Sequence, residues 1–182
     1  MKYVCKNMED IGISLIIECF RKSISLYNVP VISVGPGSGA LEKLLEKELG
    51  IDIICVDPDP LSYTSLDEPF IKPLFSTVEE IIRKEPKYVG NCILFICNAE
   101  PCLYDIYILS GNNIPYDYNA VQLLRPKCII SIYDPIDNIA GSEQFSRWIE
   151  DNKNKILLYK DISTILSDSY VGHDRLVLLN NI

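Results

Sequence analysis

Histidine and long apolar runs are almost absent from this chain. The 182 residues include one histidine, His173, too few for a histidine-based metal site. The longest uninterrupted apolar run, Cys92 to Cys97, is far shorter than the roughly 18 residues that a membrane-spanning helix needs. The residues after Met1 form neither an apolar signal core nor an Arg-rich transit pattern. We therefore predict a cytoplasmic protein with no membrane contact.

Basic residues are outnumbered by acidic ones. The 17 Lys and Arg face 25 Asp and Glu, which gives a net charge of −8. A protein that binds nucleic acid gains most of its affinity by neutralising phosphates with basic side chains. A nucleic-acid substrate is therefore disfavoured for this chain alone, and a small molecule or a protein side chain fits the charge better.

The seven cysteines show no C-x-x-C spacing. Most of them lie inside apolar runs, where a reduced thiol packs as a small hydrophobic side chain. Cys92, Cys97 and Cys102 are evenly spaced, but the first two would lie on opposite faces of a strand. We predict reduced thiols and no metal site.

Short apolar, β-branched runs alternate with helical patterns along most of the chain. The predicted strands are residues 31–34, 51–56, 92–97, 128–133, 155–159 and 175–179, with an irregular edge strand at 70–75. Between the first two strands, leucines at helical spacing predict a helix whose opposite face carries Glu42, Lys43, Glu46 and Lys47. Such alternation predicts an α/β fold, a doubly wound and mostly parallel sheet of about six or seven strands with helices on both faces. We expect a single domain over residues 1–182, with 1–29 as an N-terminal helical extension.

A glycine turn follows the first predicted strand. Gly35, Gly37 and Gly39 have no Cβ, so the backbone can turn sharply and leave room for a flat or charged ligand. Asp57 comes twenty residues after Gly37, at the end of the next strand, where a carboxylate can accept both hydroxyls of a ribose. The helix between them begins with free N–H groups and a positive dipole end. The pattern indicates an adenosine-containing ligand. The alternative is a turn that only packs closely, with Asp57 as a turn former before Pro58.

Two cofactor classes share this pattern. Gly35–Ala40 satisfies the G-x-G-x-x-A form of a dinucleotide fingerprint, so NAD(P) is one alternative. The tighter G-x-G-x-G spacing within Val31–Gly39 resembles the first motif of the class I S-adenosylmethionine-dependent methyltransferases. Cys55–Pro58 resembles their second motif, which carries the ribose-binding acid. The resemblance covers roughly residues 30–182, and these two motifs are its specific part.

The resemblance implies S-adenosylmethionine as the cofactor and a Rossmann-like sheet that ends with an antiparallel strand. The cofactor-binding residues that it implies are Gly35, Pro36, Gly37, Ser38, Gly39, Asp57, Pro58, Phe75, Ser76 and Asn98. Phe75 and Ser76 would lie along the adenine. Asn98 and Glu100 follow the fourth strand of the family pattern, where its members keep the methyl-transfer corner.

Asn98 and Glu100 are the candidate catalytic residues. Methyl transfer needs the nucleophile aligned with the sulfonium methyl and sometimes a base. We expect Asn98 to accept a hydrogen bond from the nucleophile and Glu100 to act as a base or to bind a cation. The alternative for both residues is a capped strand end.

Three features depart from the family pattern. Ser33 stands where the family usually has an acidic residue that helps to hold the amino-acid end of the cofactor. The segment 61–68 is predicted as a loop where the family has a helix. Asn98–Pro101 differs from the corner of members that methylate adenine or cytosine amino groups, and the Lys-Asp-Lys-Glu set of ribose 2′-O-methylating members is not evident.

The sequence thus favours a methyltransferase whose acceptor is unknown, with a small molecule or a protein preferred. The first alternative is a non-catalytic methyltransferase-like subunit or interaction protein. The second is an NAD(P)-dependent oxidoreductase, which ranks last because no Tyr-x-x-x-Lys pattern and no substrate domain is legible. The chain is short for the fold and has no evident substrate-recognition insert, which leaves room for a homodimer or a partner subunit to complete the site.

Overall fold

A six-stranded sheet lies at the centre of the structure. The computed structural model describes residues 10–61, 66–97, 115–133, 141–162 and 175–180. Its strands are β1 (Val31–Val34), β2 (Ile53–Val56), β3 (Ile93–Cys97), β4 (Cys128–Tyr133), β5 (Ile156–Asp161) and β6 (Arg175–Asn180), in the spatial order β2-β1-β3-β4-β6-β5. The first four strands are parallel, and β6 runs antiparallel between β4 and β5. The predicted mostly parallel sheet with an antiparallel C-terminal strand is confirmed.

Helices cover both faces of the sheet, as the alternation of patterns predicts. They are α1 (Asp10–Tyr27), α2 (Ala40–Leu49), α3 (Val78–Lys84), α4 (Tyr116–Leu124) and α5 (Glu143–Asp151), with 3-10 turns at Pro86–Tyr88 and Lys153–Lys155. One hydrophobic cluster joins α1 and α2 to one face of the sheet. A second cluster joins α3, α4 and α5 to the opposite face.

Side-chain alternation along the strands explains the two clusters. In β1, Ile32 and Val34 pack with α3 to α5, whereas Val31 packs with α1 and α2. The side chains of a strand point alternately to its two faces, so a strand covered on both sides must be apolar throughout. β3 meets this condition, because Ile93–Ile96 are fully buried between its neighbours β1 and β4.

The predicted edge strand at 70–75 is a single bridge. Phe75 pairs in parallel with Val56, and its carbonyl oxygen accepts a hydrogen bond from the Asp57 amide at 3.1 Å. Residues 66–74 form neither helix nor strand. Pro73 has no N–H to donate to a ladder, which explains why the pairing does not extend.

The described residues also bear on thiols, metals and membranes. Cys19, Cys55, Cys92 and Cys128 are buried thiols that form no disulfide in the described part of the chain. Within the described ranges, no group of three or more His, Cys, Asp or Glu side chains is placed to hold a metal ion. No helix in that part of the chain combines the length and apolarity that a bilayer crossing requires.

Candidate functional site

The glycine turn lies at the point where the chain changes direction across the sheet. β1 has β2 on one side and β3 on the other, so the connections after β1 and β2 lead to opposite sides. In open parallel sheets, ligands bind at the carboxyl ends of the strands beside such a switch point. Residues 35–39 follow directly on the carboxyl end of β1 and precede α2.

Backbone hydrogen bonds fix the shape of this turn. The Gly35 amide donates to the Val56 carbonyl at 2.9 Å, and the Gly39 amide donates to the Pro36 carbonyl at 3.0 Å. Gly35, Gly37 and Gly39 have φ angles of 69°, 57° and 70°. Glycine adopts this left-handed region without the steric cost that a Cβ brings, so the chain needs glycine at these positions.

The structure brings Asp57 against the glycine turn. The Gly37 amide donates to Asp57 Oδ2 at 2.9 Å, and the Asp59 amide donates to Asp57 Oδ1 at 2.9 Å. Burial raises the pKa of the Asp57 carboxyl, whereas the two amides oppose that shift. A carboxylate offers about four lone-pair sites, so acceptor capacity remains for two ribose hydroxyls.

Gly37 and Gly39 face different surroundings. A Cβ built on Gly37 would meet no heavy atom of the described residues within 4 Å. A Cβ on Gly39 would come within 3.1 Å of Ile71 Cβ and 3.2 Å of the Ile71 amide nitrogen. The open space beside Asp57 is therefore at Gly37, while the chain's own segment 66–75 packs over Gly39.

The other predicted cofactor-binding residues divide by exposure. Ser38 is buried, and its carbonyl accepts from the Phe70 amide at 2.7 Å. Phe75 is buried beside Asp57. Pro58 is exposed, as is Ser76, whose amide donates to the Glu80 carboxylate at 2.9 Å. Asn98, Glu100 and His173 lie outside the described residues.

Glu42 is a buried carboxyl, and its predicted position on the polar face of α2 is wrong. The helical pattern predicts it on the face of α2 opposite the leucines, yet the residue is 1% exposed and its Oε1 accepts from Ser33 Oγ at 2.8 Å. Helical side chains lean toward the N-terminus of their helix, and a side chain in the first turn of α2 therefore reaches back to β1. A detectable signal existed, because Ser33 is a polar residue in a buried apolar strand and needs a partner.

Asp117 is a second buried carboxyl, on the opposite side of the sheet. Its carboxylate accepts hydrogen bonds from the Ser142 amide at 2.6 Å, from Ser142 Oγ at 2.7 Å and from the Tyr118 amide at 2.7 Å. Ser142 Oγ also accepts from the Phe145 amide at the start of α5. Asp117 lies in the first turn of α4 and joins this turn to Ser142, the N-cap of α5.

Comparisons with solved structures agree with this architecture, whereas no family model and no curated protein matches the chain. A structure of the methyltransferase domain of bacterial CtHen1-C superposes with a TM-score of 0.54 and 16% identity, over 92% of this chain and 95% of that one. A structure of the domain described as CtHen1-CN gives 0.48 and 15% identity, over 92% and 99%. The plantazolicin methyltransferase BpumL, in complex with SAH, gives 0.43 and 13%, over 93% and 84%. The first superposition and the strand order together show that the chain has the fold of the class I S-adenosylmethionine-dependent methyltransferases.

Proposed function

We propose that this chain binds S-adenosylmethionine over the Gly35–Gly39 turn and transfers its methyl group to an acceptor. The observation that carries the proposal is the juxtaposition at Gly37, where an unobstructed glycine lies hydrogen-bonded to the Asp57 carboxylate. This pair lies at the switch point of the sheet, where a nucleoside ligand is expected.

The described residues divide the binding task by their chemistry. Asp57 accepts from the ribose hydroxyls, and the missing Cβ of Gly37 leaves space for the cofactor. Phe75 and Ser76 lie at the bridge to β2 and are proposed to line the adenine, and Pro58 is proposed to bind the cofactor beside Asp57. Gly39 gives α2 no side-chain cap, which suits an anionic group at that helix start.

S-adenosylmethionine would supply an electrophilic methyl group on a sulfonium. Asn98 and Glu100 follow β3, and we propose that they orient the acceptor and remove its proton. The acceptor is proposed to be a small molecule or a protein, since the net charge of −8 disfavours a nucleic acid for this chain alone. A second copy or a partner subunit that completes the acceptor side remains a proposal, as does a cytoplasmic location.

Titration calorimetry with S-adenosylhomocysteine, NAD and NADP tests the proposal. We expect the wild-type protein to bind S-adenosylhomocysteine and neither dinucleotide, and Asp57→Asn to weaken that binding by about tenfold or more, since hydrogen bonds to charged groups contribute ~1.5–3 kcal/mol. Binding of none of the three would leave the non-catalytic subunit as the better account. Selective binding of NAD or NADP would favour the oxidoreductase.

A valine at the turn is the sharper test. Gly37→Val places branched carbons in the proposed cofactor space, so we expect it to abolish S-adenosylhomocysteine binding while the fold stays measurable by circular dichroism. Gly50→Val is a matched control, because Gly50 also has a positive φ, of 66°, and open space around its Cβ position. It lies at the other end of α2. Normal binding by Gly37→Val would show that the turn does not cradle the cofactor.

A further inference from the structure

Glu42 is buried in the first turn of α2, directly after the glycine turn, and the described part of the chain gives it two hydrogen bonds. Its Oε1 accepts from Ser33 Oγ, two residues before Gly35 in β1. Its own backbone amide supplies another hydrogen bond. An ionised carboxylate can accept about four, so Glu42 is a buried acid with spare acceptor capacity at the carboxyl end of β1.

The charges around Glu42 do not neutralise it. Burial is the main influence on its pKa and raises it to about 7, while the negative charges of Asp57 and Glu46 raise it further. The Ser33 hydroxyl and the Glu42 amide lower it, and no cation is among these influences. A buried carboxyl in such surroundings gains when a positive charge arrives nearby.

Groups on each neighbouring element bear on this carboxyl. β2 contributes the buried Cys55, whose thiol pKa is raised by burial and by Glu42. Within α2, Glu46 accepts from the Ile53 amide at 3.1 Å and pairs with Lys43 at 3.1 Å. α1 and the segment 66–75 carry charged side chains that are exposed to solvent. Those whose exposure is described are Glu18, Arg21, Lys22, Asp67, Glu68 and Lys72. Cys19 of α1 is buried.

We propose that Glu42 gives this site its preference for a cationic ligand, so that the sulfonium cofactor binds more tightly than its neutral thioether product. The inference rests on the proposed function and assigns it a specificity-determining residue. The two ligands carry the same amino-acid and nucleoside groups and differ at sulfur by one methyl group and one positive charge. The buried Glu42 carboxylate is hydrogen-bonded to Ser33, two residues before the turn, and from there it acts on that charge with little screening by solvent.

Because ligand binding and ionisation of Glu42 are linked, the proposal predicts that the relative affinity for the two ligands depends on pH. A cation over the turn favours the ionised form of Glu42, and the ionised form favours the cation by the same factor. The ratio of S-adenosylmethionine affinity to S-adenosylhomocysteine affinity therefore rises as the pH increases from 6 to 8. The amino groups of the two ligands titrate differently because of the sulfonium charge, so the contribution of Glu42 is the difference between the wild-type pH profile and that of a variant without its charge.

Calorimetric titration of both ligands at pH 6 and pH 8 tests the role of Glu42. The variant Glu42→Gln keeps an oxygen that can accept from Ser33 but removes the charge. We expect its affinity ratio at pH 8 to be roughly tenfold below that of the wild type, as one charge at about 10 Å in an effective dielectric near 20 predicts. The rise of the ratio between pH 6 and pH 8 should also be smaller than in the wild type. Glu46→Gln is the matched control, because Glu46 lies one turn further along α2. It should retain the wild-type ratio at pH 8, where Glu42 is largely ionised in both proteins.

The outcomes separate this proposal from the one on which it rests. Binding of both ligands with equal ratios and equal pH dependence in wild type and Glu42→Gln overturns the role of Glu42 and leaves the cofactor proposal standing. Failure of the wild type to bind either ligand overturns both. If Glu42→Gln does not fold, Ser33→Ala provides the readout. Loss of its donor should move the pH at which the ratio rises to a higher value, and an unchanged profile overturns the proposal.

Discussion

Two buried carboxyls, Glu42 and Asp117, lie on opposite faces of the sheet and differ in how their oxygens are used. Asp117 accepts three hydrogen bonds, two from Ser142 and one from Tyr118. Tyr118 lies in the first turn of α4, and Ser142 is the N-cap of α5. Glu42 accepts from one neighbouring side chain and from its own amide. Asp117 is therefore a structural link between α4 and α5, whereas Glu42 has fewer donors and is the carboxyl to which we assign a role in ligand preference. Two carboxyls that are equally buried can thus differ in how many donors hold them.

The largest expected effect is the loss of Asp117. Asp117→Ala leaves the Ser142 amide and hydroxyl and the Tyr118 amide without their acceptor, and buried donors without partners are costly. We expect the free energy of unfolding to fall by about 4 kcal/mol in urea denaturation. The exposed Asp151 in α5 provides the control, since Asp151→Ala changes the same charge without touching the network. A loss below about 1 kcal/mol would show that Asp117 does not hold the helices together.

The pH dependence of stability distinguishes Glu42 in a second way. Its pKa of about 7 in the folded chain exceeds the ordinary value of 4.5, so the folded state keeps a proton that the unfolded chain releases. The contribution of Glu42 to the free energy of unfolding is therefore fully present below pH 4.5 and is lost as the pH rises through 7. At about 1.4 kcal/mol per pKa unit, wild type should lose roughly 3 kcal/mol relative to Glu42→Gln over this range. Parallel urea-denaturation curves for the two proteins at pH 5 and pH 8 would contradict this expectation.

The two serine donors should produce the smallest effects. Ser142→Ala removes both a donor to Asp117 and the cap of the Phe145 amide, and a cap is worth ~1 kcal/mol. We expect Ser142→Ala to lower the free energy of unfolding by about 2 kcal/mol. Ser33→Ala removes one hydrogen bond to Glu42 and should lower it by about 1 kcal/mol. Thermal unfolding at pH 7 measures the difference. Equal losses would mean that the two carboxyls are held equally well.

The order of strands and helices was predictable because each element carries a clear periodicity. β3 is apolar on both faces, as a central parallel strand must be, and the leucines of α2 recur at helical spacing. The proximity of Gly37 and Asp57 was also predictable, because both follow adjacent parallel strands at the same edge of the sheet.

Contacts that depend on how a side chain leaves its helix were not predictable from spacing alone. The periodicity of α2 assigns Glu42 to the polar face, and only the position of its first turn over Ser33 makes it buried. The link from Asp117 to Ser142 joins residues 25 positions apart, each of which is a plausible local cap on its own. The pairing with β2 is limited to Phe75. Pro73 has no N–H to donate, and Ile71 packs against Gly39 instead of pairing with β2.

The contact between Ile71 and Gly39 has a practical consequence for protein engineering. A library intended to change ligand preference can test Asn and Asp at position 37, because these residues tolerate its φ of 57° best and their added atoms enter open space. Position 39 should stay glycine, because its variants would be removed by misfolding before any screen could report on binding. Shortening the side chain at position 71 would not open position 39, because the Ile71 backbone nitrogen itself lies 3.2 Å from the point that a Cβ would occupy.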